Sequence, residues 1–151
     1  MSGQVPKDPD FAGRAARSFG KQGLMETIGA RILRIAPGEV DIELPVTLKV
    51  TQQHGFVHAG AVSAIADSAC GYAALTLMAP SAGVLTAEFK VNLMAPAGGE
   101  RLVAEGRVVK AGRLLTVAQA EVFAEAPGAR RLVALLTATL VAVEGRDGIS
   151  D

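Results

Sequence analysis

The sequence has little sulfur and few aromatic rings. Its 151 residues include one cysteine, Cys70, no tryptophan, one tyrosine and five phenylalanines. A single cysteine excludes an intramolecular disulfide and is typical of a reducing compartment. The shortage of aromatic rings disfavours a protein that stacks the bases of nucleic acids.

The sequence also lacks a net charge, because 15 Lys and Arg residues balance 15 Asp and Glu residues. It therefore has no global basic field for nucleic acid and no strong acidic repulsion. The first residues lack the apolar core of a signal peptide. The only candidate for a membrane span, Ala59–Met78, is rich in small residues and carries Asp67 in its middle. The favoured interpretation of this stretch is a buried helix. The absence of targeting signals predicts a cytoplasmic protein.

The alternation of apolar residues predicts one α+β domain. Ala30–Ala36 and Glu39–Val46 are expected to form a hairpin, because a Pro-Gly turn joins them. The alanine-rich stretch from His58 to about Met78 predicts one long central helix. Four more strands should follow as an antiparallel meander: Leu85–Leu93, Arg101–Lys110, Leu114–Phe123 and Arg131–Val143.

The two ends of the chain are predicted to lie outside this domain. Residues 1–24 are expected to form an N-terminal lead, in which Phe11–Ser18 is a short helix with Asp10 as its N-cap. The domain itself is expected over residues 25–145, and residues 146–151 as a flexible tail. One helix cannot cover so many strands alone, so pairing with a second copy is expected.

Asp67 is the only charged residue between Lys49 and Glu88. Burial of an unpaired carboxylate is costly and would raise its pKa. One interpretation is an Asp that faces solvent or caps a neighbouring loop. The other is a partly desolvated carboxylate at a cleft, acting as a general base or a nucleophile.

The start of the predicted helix adds a second element to this hypothesis. The first N–H groups of a helix have no partner within it and suit a developing oxyanion. Ala59 and Gly60 would present such groups without bulk. On a helix, Gly60, Ala64, Asp67 and Gly71 lie along one face, although a plain buried helix would fit this pattern as well.

Other side chains in this region have less to support them. His54 and His58 have the i, i+4 spacing of metal ligands, but no third ligand lies nearby, so no metal is expected. His58 is better interpreted as a polar group that supports the helix start. Cys70 is interpreted as an inert core cysteine rather than a nucleophile, because it follows Asp67 on an apolar helix.

Two segments carry a resemblance to a known family. One is His58-Ala59-Gly60 followed by Ala66-Asp67-Ser68, and the other is the strand that begins Thr86-Ala87-Glu88 and ends at Pro96. Together they resemble the hotdog-fold acyl-CoA thioesterases of the phenylacetate-pathway and 4-hydroxybenzoyl-CoA type, over roughly residues 25–143. The resemblance implies a hotdog fold, in which a curved antiparallel sheet wraps one long helix.

The resemblance also implies roles for individual residues. Asp67 matches the catalytic carboxylate, and the backbone N–H of Ala59, beside His58 and followed by Gly60, matches the oxyanion donor. Gln52 matches an amide side chain that helps to hold the thioester, and Thr86 matches a hydroxyl that orients water. Coenzyme A is part of the substrate, so no separate cofactor is expected. Its phosphates are expected to meet the cations Lys110 and Arg113, near the later Gly-Arg hairpin of Gly112.

The family usually has Gly where this chain has Ala59. The N–H is retained, but the extra methyl group could narrow the pocket. The resemblance implies homodimers with a continuous sheet, homotetramers, and an active site between subunits. Two other functions stay open: a hotdog dehydratase or hydratase, and a non-catalytic module that binds acyl-CoA.

Overall fold

The computed structural model describes residues 4–151, which form three α-helices, one short 3-10 turn and six strands. The helices are α1 (Phe11–Phe19), α2 (Gly23–Ile28) and α3 (Ala59–Leu75). The strands are β1 (Arg31–Ala36), β2 (Glu39–Pro45), β3 (Gly83–Leu93), β4 (Arg101–Ala111), β5 (Leu115–Ala126) and β6 (Ala129–Val143). The predicted elements are all present, and α2 is an addition that the sequence pattern did not predict.

The six strands form one antiparallel sheet in the order β1-β2-β4-β5-β6-β3. The predicted β1–β2 hairpin is confirmed, with Ala36 paired to Glu39 and Gly38 at a φ of 74° in the turn. The predicted four-strand meander is wrong for β3, which pairs with β6 at the far edge. The chain then crosses back to β4 under the start of α3, where the N–H of Val57 donates to the Ala97 carbonyl, 2.8 Å.

Helix α3 lies across the concave face of the sheet and is buried over most of its length. Its small residues let the sheet approach closely: a Cβ on Gly106 of β4 would lie 2.9 Å from the Cβ of Ala69 and would collide with the Ala69 backbone. Cys70 is buried in the same core, and desolvation raises the pKa of its thiol. Among residues 4–151, no helix is both long and apolar enough to cross a bilayer.

Helix α1 begins where the sequence predicts, but Asp10 does not cap it through its side chain. The Asp10 carboxylate instead pairs with Arg17, 2.7 Å, and the Asp10 N–H donates to Asp8 Oδ1, 2.9 Å. Arg14 is buried and holds α1 to the domain by donating to Asp8, 3.1 Å, and to the Ala82 carbonyl, 2.7 Å. The described part of the predicted N-terminal lead, residues 4–24, therefore packs on the domain. Residues 1–3 lie outside the described residues, and the boundary at residue 24 stays a prediction.

Candidate active site

Asp67 lies in the middle of α3, where its carboxylate is half-buried. Thr86 on β3 donates its hydroxyl to Asp67 Oδ1, 2.8 Å. Desolvation raises the pKa of Asp67, and the Thr86 hydrogen bond opposes this rise by favouring the carboxylate. The solvent-facing interpretation of Asp67 is therefore wrong, and the residue is a partly desolvated carboxylate held by one hydroxyl.

His58 is the N-cap of α3 and uses most of the orphan donors of the first turn. Its Nδ1 accepts from the Gly60 N–H, 2.7 Å, and its carbonyl accepts from the N–H groups of Ala61 and Val62, 2.9 and 3.1 Å. The predicted supporting role of His58 at the helix start is seen here. Because Nδ1 is an acceptor, the neutral ring carries its proton on Nε2.

Ala59 holds the remaining donor of this turn. Within residues 4–151, the Ala59 N–H donates no hydrogen bond, and the residue is exposed. The structure therefore separates two neighbours that the sequence pattern treated alike. Gly60 has its N–H engaged by His58, whereas Ala59 presents an N–H to solvent.

The loop before α3 brings Gln52 to the same place. Gln52 Oε1 accepts from the His54 N–H, and the Gln52 N–H donates to the Phe56 carbonyl, 2.8 Å. Gln52, His58 and Ala59 line an open groove of about 560 Å³, which is closed on its other side by Leu93 and the segment that follows β3. Three of the predicted site residues are thus brought together here.

Asp67 is not part of that groove. It is eight residues beyond Ala59, which is about 12 Å along a helix. It lines a separate, smaller cavity of about 110 Å³ instead, together with Thr86 and Gly71. One chain therefore has two separate candidate sites on α3, one around the free N–H of Ala59 and one around the carboxylate of Asp67.

Sequence reasoning missed several residues of the Asp67 cavity. Its remaining walls are formed by Gln22, Ser68, Tyr72, Val84 and Asp151. Ser68 and Tyr72 are one turn apart on a largely apolar helix, which is a signal that the sequence does contain. Gln22 and Asp151 come from the two ends of the chain, and no local pattern connects them to Asp67.

The predicted face of small residues is divided between two cavities. Gly60 and Ala64 line a cavity of about 300 Å³ against α2, and Asp67 and Gly71 line the cavity of about 110 Å³. The continuous track predicted along α3 is therefore interrupted between Ala64 and Asp67.

The residues predicted to bind the phosphates of coenzyme A lie elsewhere in the chain. Lys110, Gly112 and Arg113 are exposed at the β4–β5 hairpin. Gly112 and Arg113 line a cavity of about 370 Å³ that also contains Met78, beyond the far end of α3. Within one chain the structure does not bring these residues to the groove of Ala59 or to the cavity of Asp67, so their role stays a prediction.

Residues 4–151 contain no group of three His, Cys, Asp or Glu side chains that could hold a metal ion. His54 and His58 in particular have no third ligand beside them. The imidazole of His58 is already engaged at Nδ1 by the Gly60 N–H.

Comparison with known proteins identifies the class to which this fold and site belong. A family model described as the thioesterase superfamily matches residues 54–129. A solved structure of a thioesterase family protein from Silicibacter pomeroyi is 51% identical, with a TM-score of 0.88, covering 89% of this chain and 99% of that one. The chain therefore belongs to the thioesterase superfamily and has the hotdog fold, which confirms the predicted resemblance and fold class.

Two further proteins are similar to this chain at lower identity. A 1,4-dihydroxy-2-naphthoyl-CoA hydrolase from Listeria monocytogenes is 30% identical over 91 residues, which are 60% of this chain and 74% of that protein. The PaaI protein of the E. coli phenylacetic acid degradation operon has a TM-score of 0.78 at 18% identity, covering 90% of this chain and 95% of that one. At that identity PaaI supports the fold alone. Membership of this family supports thioester hydrolysis in general as the activity of the chain.

Proposed function

We propose that the protein hydrolyses an acyl-CoA thioester to a free acid and a free thiol, with each active site built from two subunits. The observation that carries this proposal is the separation of two groups on α3, each of which we call a half-site. A Thr86-bound carboxylate, Asp67, and an unengaged helix N–H, on Ala59, supply the two functions that thioester hydrolysis needs. Both lie on one helix, too far apart to act on the same carbonyl.

Strand β3 provides the means of joining the two half-sites. It is an edge strand of 11 residues, and one side of it has no partner within residues 4–151. Thr86, near its start, binds Asp67, while Leu93, at its end, lines the groove of Ala59. Antiparallel pairing of β3 with a second copy about a two-fold axis sets the start of one strand opposite the end of the other. Asp67 then faces the partner subunit's Ala59.

Exposed apolar side chains on β3 favour the same arrangement. Phe89 and Leu93 pair with the buried residues Ala138 and Ala134 of β6, so both point to the helix side of the sheet. They are nevertheless 45% and 52% exposed. A long, apolar edge strand is normally covered or paired in a native protein. A dimer with a continuous sheet, and a tetramer made of two dimers, would protect it.

In the proposed reaction, an oxygen nucleophile adds to the thioester carbonyl carbon. Negative charge develops on the carbonyl oxygen, where the Ala59 N–H and the α3 dipole stabilise it. Asp67 either removes a proton from the attacking water or attacks the carbon itself and is then released by water. The C–S bond breaks, and the thiolate leaves and takes up a proton.

The test is a panel of acyl-CoA esters with thiol release monitored for wild type and Asp67→Asn. We expect the variant to lose at least about a hundredfold in kcat, the usual scale for an acid–base group. Asp147→Asn, a change at an exposed aspartate, is the matched control and should keep full activity. Near-normal turnover by Asp67→Asn would contradict the proposed mechanism.

The same panel separates the two alternative functions. A dehydratase or hydratase would change the acyl group and leave the thioester intact, so product analysis would reveal it. A non-catalytic module would bind acyl-CoA and release no thiol from any ester. Either result would replace the hydrolase proposal.

A further inference from the structure

The cavity behind Asp67 has polar walls that the proposed reaction does not use. Gln22 joins two turns of α3: its Oε1 accepts from Ser68 Oγ, 3.3 Å, and its Nε2 donates to the Tyr72 hydroxyl, 3.0 Å. The Tyr72 hydroxyl is 3.2 Å from Ser18 Oγ, which in turn donates to Asp151 Oδ1, 2.7 Å. This chain of hydrogen bonds ends on the carboxylate that closes the cavity.

The segment after β6, residues 144–151, is fixed to the cavity at two points. We call this segment the β6 extension. Asp151 Oδ2 accepts from the Val84 N–H, 2.8 Å. Ile149 packs on Gly83, where an added Cβ would lie 2.7 Å from Ile149 Cγ2 and 3.2 Å from its carbonyl carbon. The absence of a side chain at Gly83 therefore leaves room for the extension.

The shape of the site indicates which part of a substrate would enter this cavity. Coenzyme A is far larger than the cavity of about 110 Å³, so it must lie outside it. The acyl group continues on the other side of the carbonyl carbon and is the part that can enter. The volume of about 110 Å³ is smaller than the cavity of about 150 Å³ that accommodates a benzene ring in other proteins.

We propose that the β6 extension, held in place by Asp151, is the acyl-length determinant of this enzyme and restricts it to short acyl groups. This inference rests on the proposed thioester hydrolysis. With Asp151 bound to Ser18 and Val84, the extension forms one wall of the cavity that Asp67 lines. When the extension is released, the cavity opens towards solvent at the start of β3, and longer acyl chains fit.

Two variants release the extension by different routes. Asp151→Ala removes the acceptor for Ser18 and the Val84 N–H, while Gly83→Ala pushes Ile149 away from the start of β3. Asp147→Ala is the control, because it removes a carboxylate from the same segment at an exposed position. Release itself is measured by trypsin cleavage after Arg146, followed by mass spectrometry.

Specificity is measured as the ratio of kcat/KM for octanoyl-CoA to that for propionyl-CoA. The affinities for S-(2-oxoalkyl)-CoA thioethers of the same two chain lengths, which cannot be hydrolysed, provide a second measurement that is independent of turnover. We expect both releasing variants to raise the octanoyl preference by at least about tenfold, since one methylene in a fitted pocket is already worth about 10- to 200-fold. Asp147→Ala should leave the preference at the wild-type value.

The inference is overturned if the extension of the wild type is cleaved as fast as that of the variants. It is also overturned if the double variant Gly83→Ala/Asp151→Ala is cleaved quickly but keeps the wild-type preference in both measurements. A failure of the proposed function looks different. No ester would then release thiol, while the thioether affinities would still report whether the β6 extension limits chain length.

Discussion

Asp67 and Ala59 lie on the same helix in contrasting surroundings. Asp67 is half-buried beside a small cavity and accepts one hydrogen bond, from Thr86. Ala59 is exposed on an open groove, and its N–H has no acceptor within residues 4–151. A carboxylate gains basicity where water is scarce, whereas an oxyanion donor must stay accessible until substrate arrives. Placing the two groups two turns apart lets one short helix provide both environments.

The largest effect should come from breaking the open half-site. Ala59→Pro removes the free N–H, and proline is tolerated at the first position of a helix, where no intrahelical bond is lost. His58 already has the extended backbone that a following proline requires, with φ −60° and ψ 138°. We expect kcat to fall about 10²- to 10³-fold. Ala59→Gly, the control, keeps the N–H and should retain activity.

Mixing two inactive variants tests whether the half-sites belong to different subunits. Ala59→Pro and Asp67→Asn subunits are unfolded and refolded together, and thiol release is measured. Random pairing gives mixed dimers in which one of the two sites is intact, so roughly a quarter of wild-type activity should return. If each chain carries a whole site, the mixture will stay as inactive as its components.

A smaller effect is expected from changing Thr86, which binds Asp67. Its hydroxyl lowers the pKa of Asp67, so Thr86→Ala should raise that pKa further. Since the carboxylate must be ionised to act, the acid limb of the kcat profile should move to higher pH, with about a tenfold loss of rate near the wild-type limb. Thr86→Ser keeps the hydroxyl and should keep the wild-type profile, and a shift in both variants would contradict the assignment.

A smaller effect is expected at the β4–β5 hairpin. If Lys110 and Arg113 meet the coenzyme A phosphates, Lys110→Ala and Arg113→Ala should each raise KM by about two- to fivefold and leave kcat unchanged, because exposed ion pairs are weak. The increase should shrink at high ionic strength, where such charges are screened. A KM that is insensitive to both changes would remove the hairpin from the substrate site.

The smallest effect concerns stability. Desolvation raises the pKa of Asp67 in the folded state, so folding favours the protonated form. The carboxylate therefore destabilises the fold above its folded pKa, and this penalty disappears as pH falls below its unfolded pKa. Asp67→Asn should raise Tm at neutral pH, and thermal melts should show the gain vanish near pH 3. An equal Tm difference at both pH values would contradict this origin.

The sequence predicted the helix that carries the candidate site better than it predicted the surroundings of that helix. Asp67 stands out because no other charge lies near it, and the helix start follows from the alanine run and the His58 cap. Both signals are local. The position of β3 at the sheet edge was predicted incorrectly, because strand order depends on pairing between distant segments. The wall of the Asp67 cavity has the same origin: Ser18 and Asp151 meet across 133 residues.

The contact between Ala69 and Gly106 has a consequence for how this fold can be altered. The helix and sheet touch through backbone there, so neither surface can gain side-chain volume without separating the two layers. Larger side chains therefore cannot be introduced where α3 and the sheet meet at Ala69 and Gly106. Changes of substrate range must come from the segments around its rim, such as α2 and the residues after β6, where volume can be added or removed without disturbing the core.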